Sequence, residues 1–458
     1  MTTLAELPRH MKISEHEPAA LYADHVRTVA ERFQSALGAA GFDRVAVFAG
    51  DLLMRPRDDS PYPFRVDPYF AAWLPLHDAP GSVLCFEPGC KPVLLFRQDD
   101  DFWHAPPRDP EDYWAGHFQI EIVKSAKDVA RALQPWLPGC AAIDAAAAPG
   151  GAFASCNDET LLVHLDYQRA RKTGYEIACM AAANRIAAAG HRAAAAAFAR
   201  SASQSVSEFD LDRVYCGATA QRETELPYSS IVALNEHAAI LHYQRLDRRA
   251  PDKALSFLID AGASSQGYAA DVTRTWQSGS SAFADLISAV DDMQQTLCAE
   301  VAPGVDFAAL NERAHELLAV VLAEHDLVRC GAEEAHRSGL TRAFLPHGLG
   351  HLLGLQVHDV GGWQVGSHGE LSRPPEAHPF LRLTRKVEPG FAFTIEPGLY
   401  FIESLLSKLP AEQAGKLNRK LIDHLRPYGG IRIEDNLVVE STHSLNLTRE
   451  AFASLRAD

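Results

Sequence analysis

Asp260, Asp271, His351, Glu396 and Glu434 are the side chains whose types and settings can do chemistry together in this chain. The first two fall in one predicted hairpin. Ala254-Leu-Ser-Phe-Leu-Ile-Asp260 is apolar and strand-like, Ala261-Gly-Ala-Ser-Ser-Gln-Gly267 supplies turn residues, and Asp271-Val-Thr-Arg-Thr-Trp276 returns as a β-branched and aromatic strand. A turn centred between Ser265 and Gln266 sets Asp260 directly opposite Asp271. Like charges roughly 5 Å apart at Cβ destabilise a sheet, so the pair calls for a cation or for a proton on one member. A bulge would break that register, and a solvated hairpin with decorative aspartates is the competing reading. The other segments have to decide between them.

Phe344-Leu-Pro-His-Gly-Leu-Gly-His351 places two histidines four residues apart, with Pro346, Gly348 and Gly350 against a helix. It is therefore not a helical His pair of the HExxH type, and its glycines let the backbone approach a neighbour closely. One histidine reads as a ligand and the other as pocket lining; two satisfied loop histidines are the alternative. Phe391-Ala-Phe-Thr-Ile-Glu396-Pro-Gly398 ends an apolar strand with a glutamate that needs a partner if buried. Gly430-Ile-Arg-Ile-Glu-Asp-Asn436 reads as one period-two strand, with Arg432 and Glu434 on one face and Ile431 and Ile433 on the other. That face is either functional or a common exposed polar stripe. Four carboxylates and one imidazole balance two divalent cations in charge, and oxygen-rich ligation favours Mn²⁺-like ions over a thiolate zinc site. Two such ions about 3.5–4 Å apart hold a bridging water and lower its pKa, which is the machinery of metal-assisted hydrolysis.

The elements that must position these groups follow from the rest of the chain. A length of 458 residues predicts two domains. The first, residues 1–160, reads as a smaller α/β domain: a helix at about 20–39, strands at 44–48, near 82–86 and 92–96, an exposed loop at 99–113, and a strand at 140–144. The boundary is expected near 158–166, with residues 167–177 opening a long alanine-rich helix. In the second domain, residues 161–458, helices at about 176–200, 208–222, 281–301 and 306–324 alternate with strands, which suits an α+β fold with helices on antiparallel sheet. Net charge is −16, which argues against an electrostatic nucleic-acid binder and a polybasic membrane surface. The stretch 178–199 has the length of a membrane span, but it carries Asn184, Arg185, His191 and Arg192 and reads as a water-exposed helix. Eight cysteines without CxxC pairs, and no secretory signal, predict a cytoplasmic protein with free thiols.

The ordered set Ile259-Asp-Ala-Gly262, Tyr268-Ala-Ala-Asp-Val-Thr-Arg274, Pro346-His-Gly-Leu-Gly-His351, Thr394-Ile-Glu-Pro-Gly398 and Gly430-Ile-Arg-Ile-Glu434 resembles the dinuclear metallopeptidases of the pita-bread fold. Leu226-Pro-Tyr-Ser-Ser-Ile-Val-Ala-Leu-Asn235, Leu241-His-Tyr243, Gly354-Leu-Gln-Val-His-Asp-Val-Gly-Gly362, His378-Pro-Phe-Leu-Arg382 and Tyr62-Pro-Phe-Arg-Val-Asp-Pro68 extend the resemblance to bacterial Xaa-Pro dipeptidases (prolidases) over nearly the whole chain. That group includes organophosphorus acid anhydrolases.

The resemblance implies a C-terminal pita-bread catalytic domain binding two divalent ions, Mn²⁺ first among them, through Asp260, Asp271, His351, Glu396 and Glu434. Asp271 and Glu434 would bridge, and Glu396 would also shuttle a proton. His358 would stabilise the oxyanion and His347 would line the pocket. Arg382 and His242 would hold the carboxylate of the departing proline, Arg432 would stand beside the ligands, and Tyr228 would wall the pocket. Gln168 and Ser229-Ser230 depart from the expected pattern and bear on substrate preference. A homodimer is implied, in which the N-terminal domain, through the loop at 58–63, narrows the partner's pocket. The expected reaction is hydrolysis of Xaa-Pro dipeptides. The alternatives are a phosphotriester or fluorophosphonate hydrolase, an aminopeptidase acting on longer Xaa-Pro peptides, and a metal-free peptide-binding homologue.

Overall fold

A computed structural model describes residues 17–144, 153–201, 203–279 and 281–455. They form two compact units. The first gathers the described residues up to Cys179 with the short segments Gln266–Tyr268 and Gln364–Leu371. The second takes Met180–Ser265, Ala269–Trp363 and the described residues from Ser372 onward.

The first unit is built on a mixed sheet of β1 (Arg44–Phe48), β2 (Val83–Phe86), β3 (Val93–Arg97), β4 (Gln119–Val123), β5 (Cys140–Ile143) and β6 (Ser155–Cys156), in the order β4-β3-β2-β1-β5-β6. The central sequences Val-Ala-Val-Phe, Val-Leu-Cys-Phe and Cys-Ala-Ala-Ile are buried on both faces, which is why they read as unbroken apolar runs. The helix Pro18–Ala40 starts on a proline whose missing N–H costs nothing there, and Gly41 ends it at φ 76°. Tyr22, Val26, Val29, Phe33 and Leu37 form its buried stripe. The stretch 158–166, read from the sequence as a boundary, is instead helical. Asp158 accepts a hydrogen bond from the Leu161 N–H and caps the helix Glu159–Arg169. Tyr167 thus closes one helix rather than opening the next, which runs over Gly174–Ala199.

In the second unit, β7 (Ile231–Leu234), β8 (Ser256–Asp260) and β11 (Thr273–Gln277) make an antiparallel sheet ordered β11-β8-β7. The tip between β8 and β11 carries the two-residue strands β9 (Ser264–Ser265) and β10 (Tyr268–Ala269). Two further antiparallel sets follow: β12 (Ala392–Ile395) with β15 (Asp435–Val439) and β16 (Ser444–Asn446), and β13 (Gly398–Tyr400) with β14 (Gly430–Arg432). The helices Glu208–Thr219, Ser281–Glu300 and Phe307–Glu324 match the sequence expectation. Ala194, Ala197, Phe198, Leu211, Tyr215, Val232, Leu234, Phe257 and Ile259 form one buried cluster between helices and sheet, as an α+β fold requires. Alanine and glycine let the long helix pack closely, since a Cβ on Gly190 would lie 2.6 Å from the Tyr215 ring.

Two local expectations need correction. The hairpin turns at Gln266 and Gly267, both at positive φ (50° and 82°), one residue later than expected. Two consecutive positive φ values suit a tight hairpin turn with glycine second. Moving the turn centre by one residue moves the register by two, so Asp260 faces Thr273 rather than Asp271. Residues 271 and 273 share parity, so Asp271 still projects to the face of Asp260, one diagonal step away. The run Gly430–Asn436 is two strands of different sheets, not one. The chain changes partners at Ile433, which donates to the Pro397 carbonyl, and at Glu434, which donates to the Thr273 carbonyl. Both sides of that run are buried, so the exposed-stripe reading fails.

Candidate metal centre

Asp260 ends β8 and Asp271 lies just ahead of β11, and the Tyr228 hydroxyl sits 2.7 Å from Asp260 Oδ1 and 2.5 Å from Asp271 Oδ1. Close approach makes this possible: a Cβ on Gly262 would lie 2.1 Å from the Ala270 carbonyl and 2.7 Å from the Tyr228 ring. Asn436 clamps the Asp271 backbone, accepting from its N–H at 2.9 Å and donating to its carbonyl at 2.5 Å. An isolated bridge between Thr273 and Glu434 brings the junction of β14 and β15 beside β11, where the Thr273 hydroxyl donates to Glu434 Oε2 at 2.6 Å.

His351 arrives from a loop laid against β12. Its N–H donates to Thr394 Oγ1, and its carbonyl accepts from the Thr394 N–H. Its Nδ1–H is committed to the Leu352 carbonyl at 3.0 Å, because a carbonyl can only accept. The Nε2 lone pair is then directed to Asp271 Oδ2, 3.4 Å away, and Glu396 Oε1, 3.5 Å away. Fixing the tautomer through the other ring nitrogen is how ligating histidines are oriented. Single donor atoms of Asp271, His351 and Glu434 lie within 4.8 Å of one another, all on buried residues. Asp260 and Glu396 flank that trio, so all five sequence candidates converge.

The charges there do not cancel within the protein. Buried Arg432 donates from Nη2 to Asp260 Oδ2 at 2.7 Å, from Nη1 to the Tyr400 hydroxyl and from Nε to Thr273 Oγ1. Burial, with Asp271 nearby, pushes the Glu396 carboxyl up to about 7 against the pull of His351 and Arg432. Burial and the neighbouring carboxylates push Glu434 well above the usual range. Asp260 is raised by burial and Asp271 despite Arg432. Burial also acts upward on Asp271, but His351, which donates from Nε2 only when its ring is protonated, and the Tyr228 hydroxyl outweigh it and hold the group below its ordinary value. Four carboxylates against one guanidinium and one imidazole are the setting a divalent cation would neutralise, and the oxygen-rich donor set with one Nε2 fits such ions.

Around this centre, His358 stacks edge-on against His351 with centroids 4.4 Å apart, and burial with His351 and Arg382 lowers its pKa to about 4. His347 is lowered to about 4 by burial and Arg432. Its Nδ1–H meets the Gly348 carbonyl and its Nε2 accepts from the Tyr400 hydroxyl at 2.8 Å. Arg382 and His242 are exposed; the charge of each acts on His358, and that of His242 also acts on His347.

Residues 178–441 match the model of metallopeptidase family M24, and residues 20–167 match that of the Xaa-Pro dipeptidase N-terminal domain. Curated Xaa-Pro dipeptidases from Stenotrophomonas maltophilia (strain R551-3) and Xanthomonas oryzae pv. oryzae (strain MAFF 311018) are 45% and 44% identical, over 96% and 95% of this chain and 99% and 98% of their own. The chain belongs to metallopeptidase family M24. Its branch is that of the bacterial Xaa-Pro dipeptidases, or prolidases. Among solved structures, aminopeptidase P from Escherichia coli (a His350Ala variant) aligns with TM-score 0.68 at 22% identity, and PepP from Pseudomonas aeruginosa with 0.69 at 21%. Each alignment covers 94% of this chain and 99% of the other, and shows a common fold.

In this M24 chain, sequence reading missed several supporting groups. Tyr400, two residues beyond Gly398, links Arg432 to His347. Thr273 and Asn436 lay inside the quoted motifs without being assigned, yet each holds a carboxylate-bearing residue in place. Tyr228, expected to wall the pocket, joins the two aspartates, and the three guanidinium nitrogens of Arg432 are engaged by Asp260, Tyr400 and Thr273. No helix among the described residues is long and apolar enough to cross a membrane.

Proposed function

We propose that this M24 chain is an Xaa-Pro dipeptidase that uses two divalent cations, Mn²⁺ in the working enzyme, held by Asp260, Asp271, His351, Glu396 and Glu434. The supporting observation is the buried carboxylate cluster around His351 Nε2, in a chain whose curated relatives are Xaa-Pro dipeptidases along nearly their full length. Asp271 and Glu434 would be the ligands that serve both cations. When bound there, such cations would supply a water of lowered pKa and Lewis-acid polarisation of a carbonyl.

The remaining work falls to the side chains. Glu396, whose Oε1 lies 3.5 Å from His351 Nε2, takes a proton at the reacting centre and returns it to the departing prolyl nitrogen. His358 is neutral at pH 7 and offers an N–H to the carbonyl oxygen as charge builds there. His347, oriented by Gly348 and Tyr400, lines the pocket. A prolyl amide has no N–H, so recognition rests on ring shape, carbonyl and terminal carboxylate. Arg382, with a planar fork suited to carboxylate, and His242 take that carboxylate. Arg432 and Tyr228 serve the site by orienting the two aspartates. The enzyme works in the cytoplasm as a homodimer, in which the N-terminal domain of one subunit narrows the pocket of its partner.

Hydrolysis of Ala-Pro, Ala-Pro-Ala and a phosphotriester by metal-stripped protein, with and without Mn²⁺, tests the reading. Manganese-dependent cleavage of Ala-Pro alone is the expected result. A protein that binds metal yet leaves Ala-Pro intact refutes it, and a surviving phosphotriester rate would then name the activity. Light scattering checks the dimer.

A further inference from the structure

Glu208, Asp247 and His237 form a second group of close metal-type side chains, none of them among the five residues above. Their hydrogen bonds argue against a cation. Glu208 is 2% exposed and each of its oxygens is already doubly engaged. Oε1 accepts from the Leu234 N–H at 2.9 Å and from His237 Nδ1 at 2.7 Å. Oε2 accepts from the Tyr243 hydroxyl at 2.6 Å and the Asp247 N–H at 2.9 Å. Because a carboxylate only accepts, His237 must carry its proton on Nδ1. The His237 ring also stacks on Tyr243, with centroids 4.5 Å apart and planes at 22°.

These four donors come from one segment, 234–247, which beyond the end of β7 has no regular structure except the short 3-10 turn Asn235–Ala239. Such a segment lacks a ladder to fix it. Here one buried carboxylate ties its start, its middle and its end. Glu208 itself is fixed as the first residue of the helix Glu208–Thr219, behind the Ser207–Asp210 capping box, where the positive end of the helix favours an anion. The Phe209 N–H also donates to the Asp247 carbonyl, closing the end of the segment. His242 immediately precedes Tyr243 and is exposed, whereas Tyr243 is buried.

We propose that Glu208 is a positioning residue for substrate binding: through the Tyr243 hydroxyl, His237 and the backbone at 234 and 247, it holds His242 where the substrate carboxylate docks. The proposal rests on the reading of His242 as a carboxylate-binding residue. Glu208 and Tyr243 act on KM through His242, without touching substrate.

The test is a double-mutant cycle of Tyr243→Phe and His242→Ala in the Mn²⁺-loaded enzyme, assayed on Ala-Pro and on Ala-prolinamide, which lacks the carboxylate. Glu208→Gln serves as a second variant if it folds, and Tyr243→Phe removes only one hydroxyl. Tyr243→Phe is expected to raise KM for Ala-Pro about fivefold, with kcat within about twofold and KM for Ala-prolinamide unchanged. Added to His242→Ala, it should have no further effect. Additive effects of the two changes, an equal penalty on Ala-prolinamide, or no KM change from Tyr243→Phe alongside a clear one from His242→Ala would each overturn the positioning role. An unchanged KM in His242→Ala overturns instead the reading of His242, and the proposal with it.

Discussion

His351 Nε2 lies 3.4 Å from Asp271 Oδ2, while His351 Nδ1 gives its proton to the Leu352 carbonyl. A neutral imidazole so arranged presents a lone pair to the carboxylates, as a metal ligand must. His351 is raised above its ordinary pKa, with Asp271 and Glu396 overcoming the effect of burial. Without a cation, therefore, a proton competes for the same atom. Replacing His351 by Ala should lower bound Mn²⁺ from two ions per chain to one or none and reduce kcat/KM for Ala-Pro at least about 10³-fold. Elemental analysis of the purified variant beside its kinetics decides it. Full metal content would remove His351 from the ligand set.

The Tyr228 hydroxyl has one proton and two aspartates within reach, so it restrains both without neutralising either. Partners of this kind typically set metal affinity by about 10–100-fold. Tyr228→Phe should weaken Mn²⁺ binding in that range while kcat at saturating metal stays within about tenfold. A titration of activity against buffered Mn²⁺ separates the two effects. An unchanged titration midpoint combined with a higher KM for Ala-Pro would return Tyr228 to the pocket wall.

The convergence of Asp260, Asp271, Glu396 and Glu434 was legible because acidic residues stood out beside apolar strands, where burial demands partners. The geometry between them was less so. Gln266, a non-glycine residue at φ 50°, gives no sequence sign that the hairpin turns one residue late. The alternation in Gly430–Asn436 resembles a single strand because the chain stays extended while passing from β14 to β15 at Ile433 and Glu434. Glu159-Thr-Leu-Leu-Val-His-Leu-Asp-Tyr-Gln-Arg169 was overlooked as a helix because its polar residues are scattered between apolar ones rather than gathered on one side. Glu208 escaped notice because two of its four donors are backbone N–H groups, which no motif records.

Glu396 gives the metal-stripped protein a distinctive pH dependence. Folding raises its carboxyl from an ordinary 4.5 to about 7, chiefly by burial. The folded state therefore holds a proton that the unfolded chain releases between those values. Its stabilising contribution is complete below about 4.5 and is lost as pH rises through about 7. Glu434, also raised, acts in the same direction. Thermal melts of metal-stripped protein should thus fall from pH 5 to pH 8 more steeply than those of a Glu396→Gln variant. Saturating Mn²⁺ should stabilise the wild-type protein more at pH 8 than at pH 5, because the carboxylates must be deprotonated to bind. Parallel slopes for the two stripped proteins would dismiss Glu396 as the source.

Gly350 tests whether the approach of the His351 loop to β12 sets the position of the ligand. A Cβ there would stand 2.0 Å from the Thr394 carbonyl oxygen and 2.9 Å from its carbon. Backbone atoms cannot rotate away, and His351 and Thr394 are bonded to each other from both sides. Gly350→Ala must therefore push the loop off β12, at a cost of about 1–3 kcal/mol of stability, and carry His351 with it. Gly217, inside the helix Glu208–Thr219, has nothing within 4 Å of a Cβ, so Gly217→Ala should stabilise by about 0.4–1 kcal/mol. Denaturant melts of both variants, with Mn²⁺ content measured on the same samples, compare the two positions. The expected result is loss of stability and of metal for Gly350→Ala alone; a Gly350→Ala protein that melts like wild type and keeps its metal would show that the loop has slack the packing does not provide.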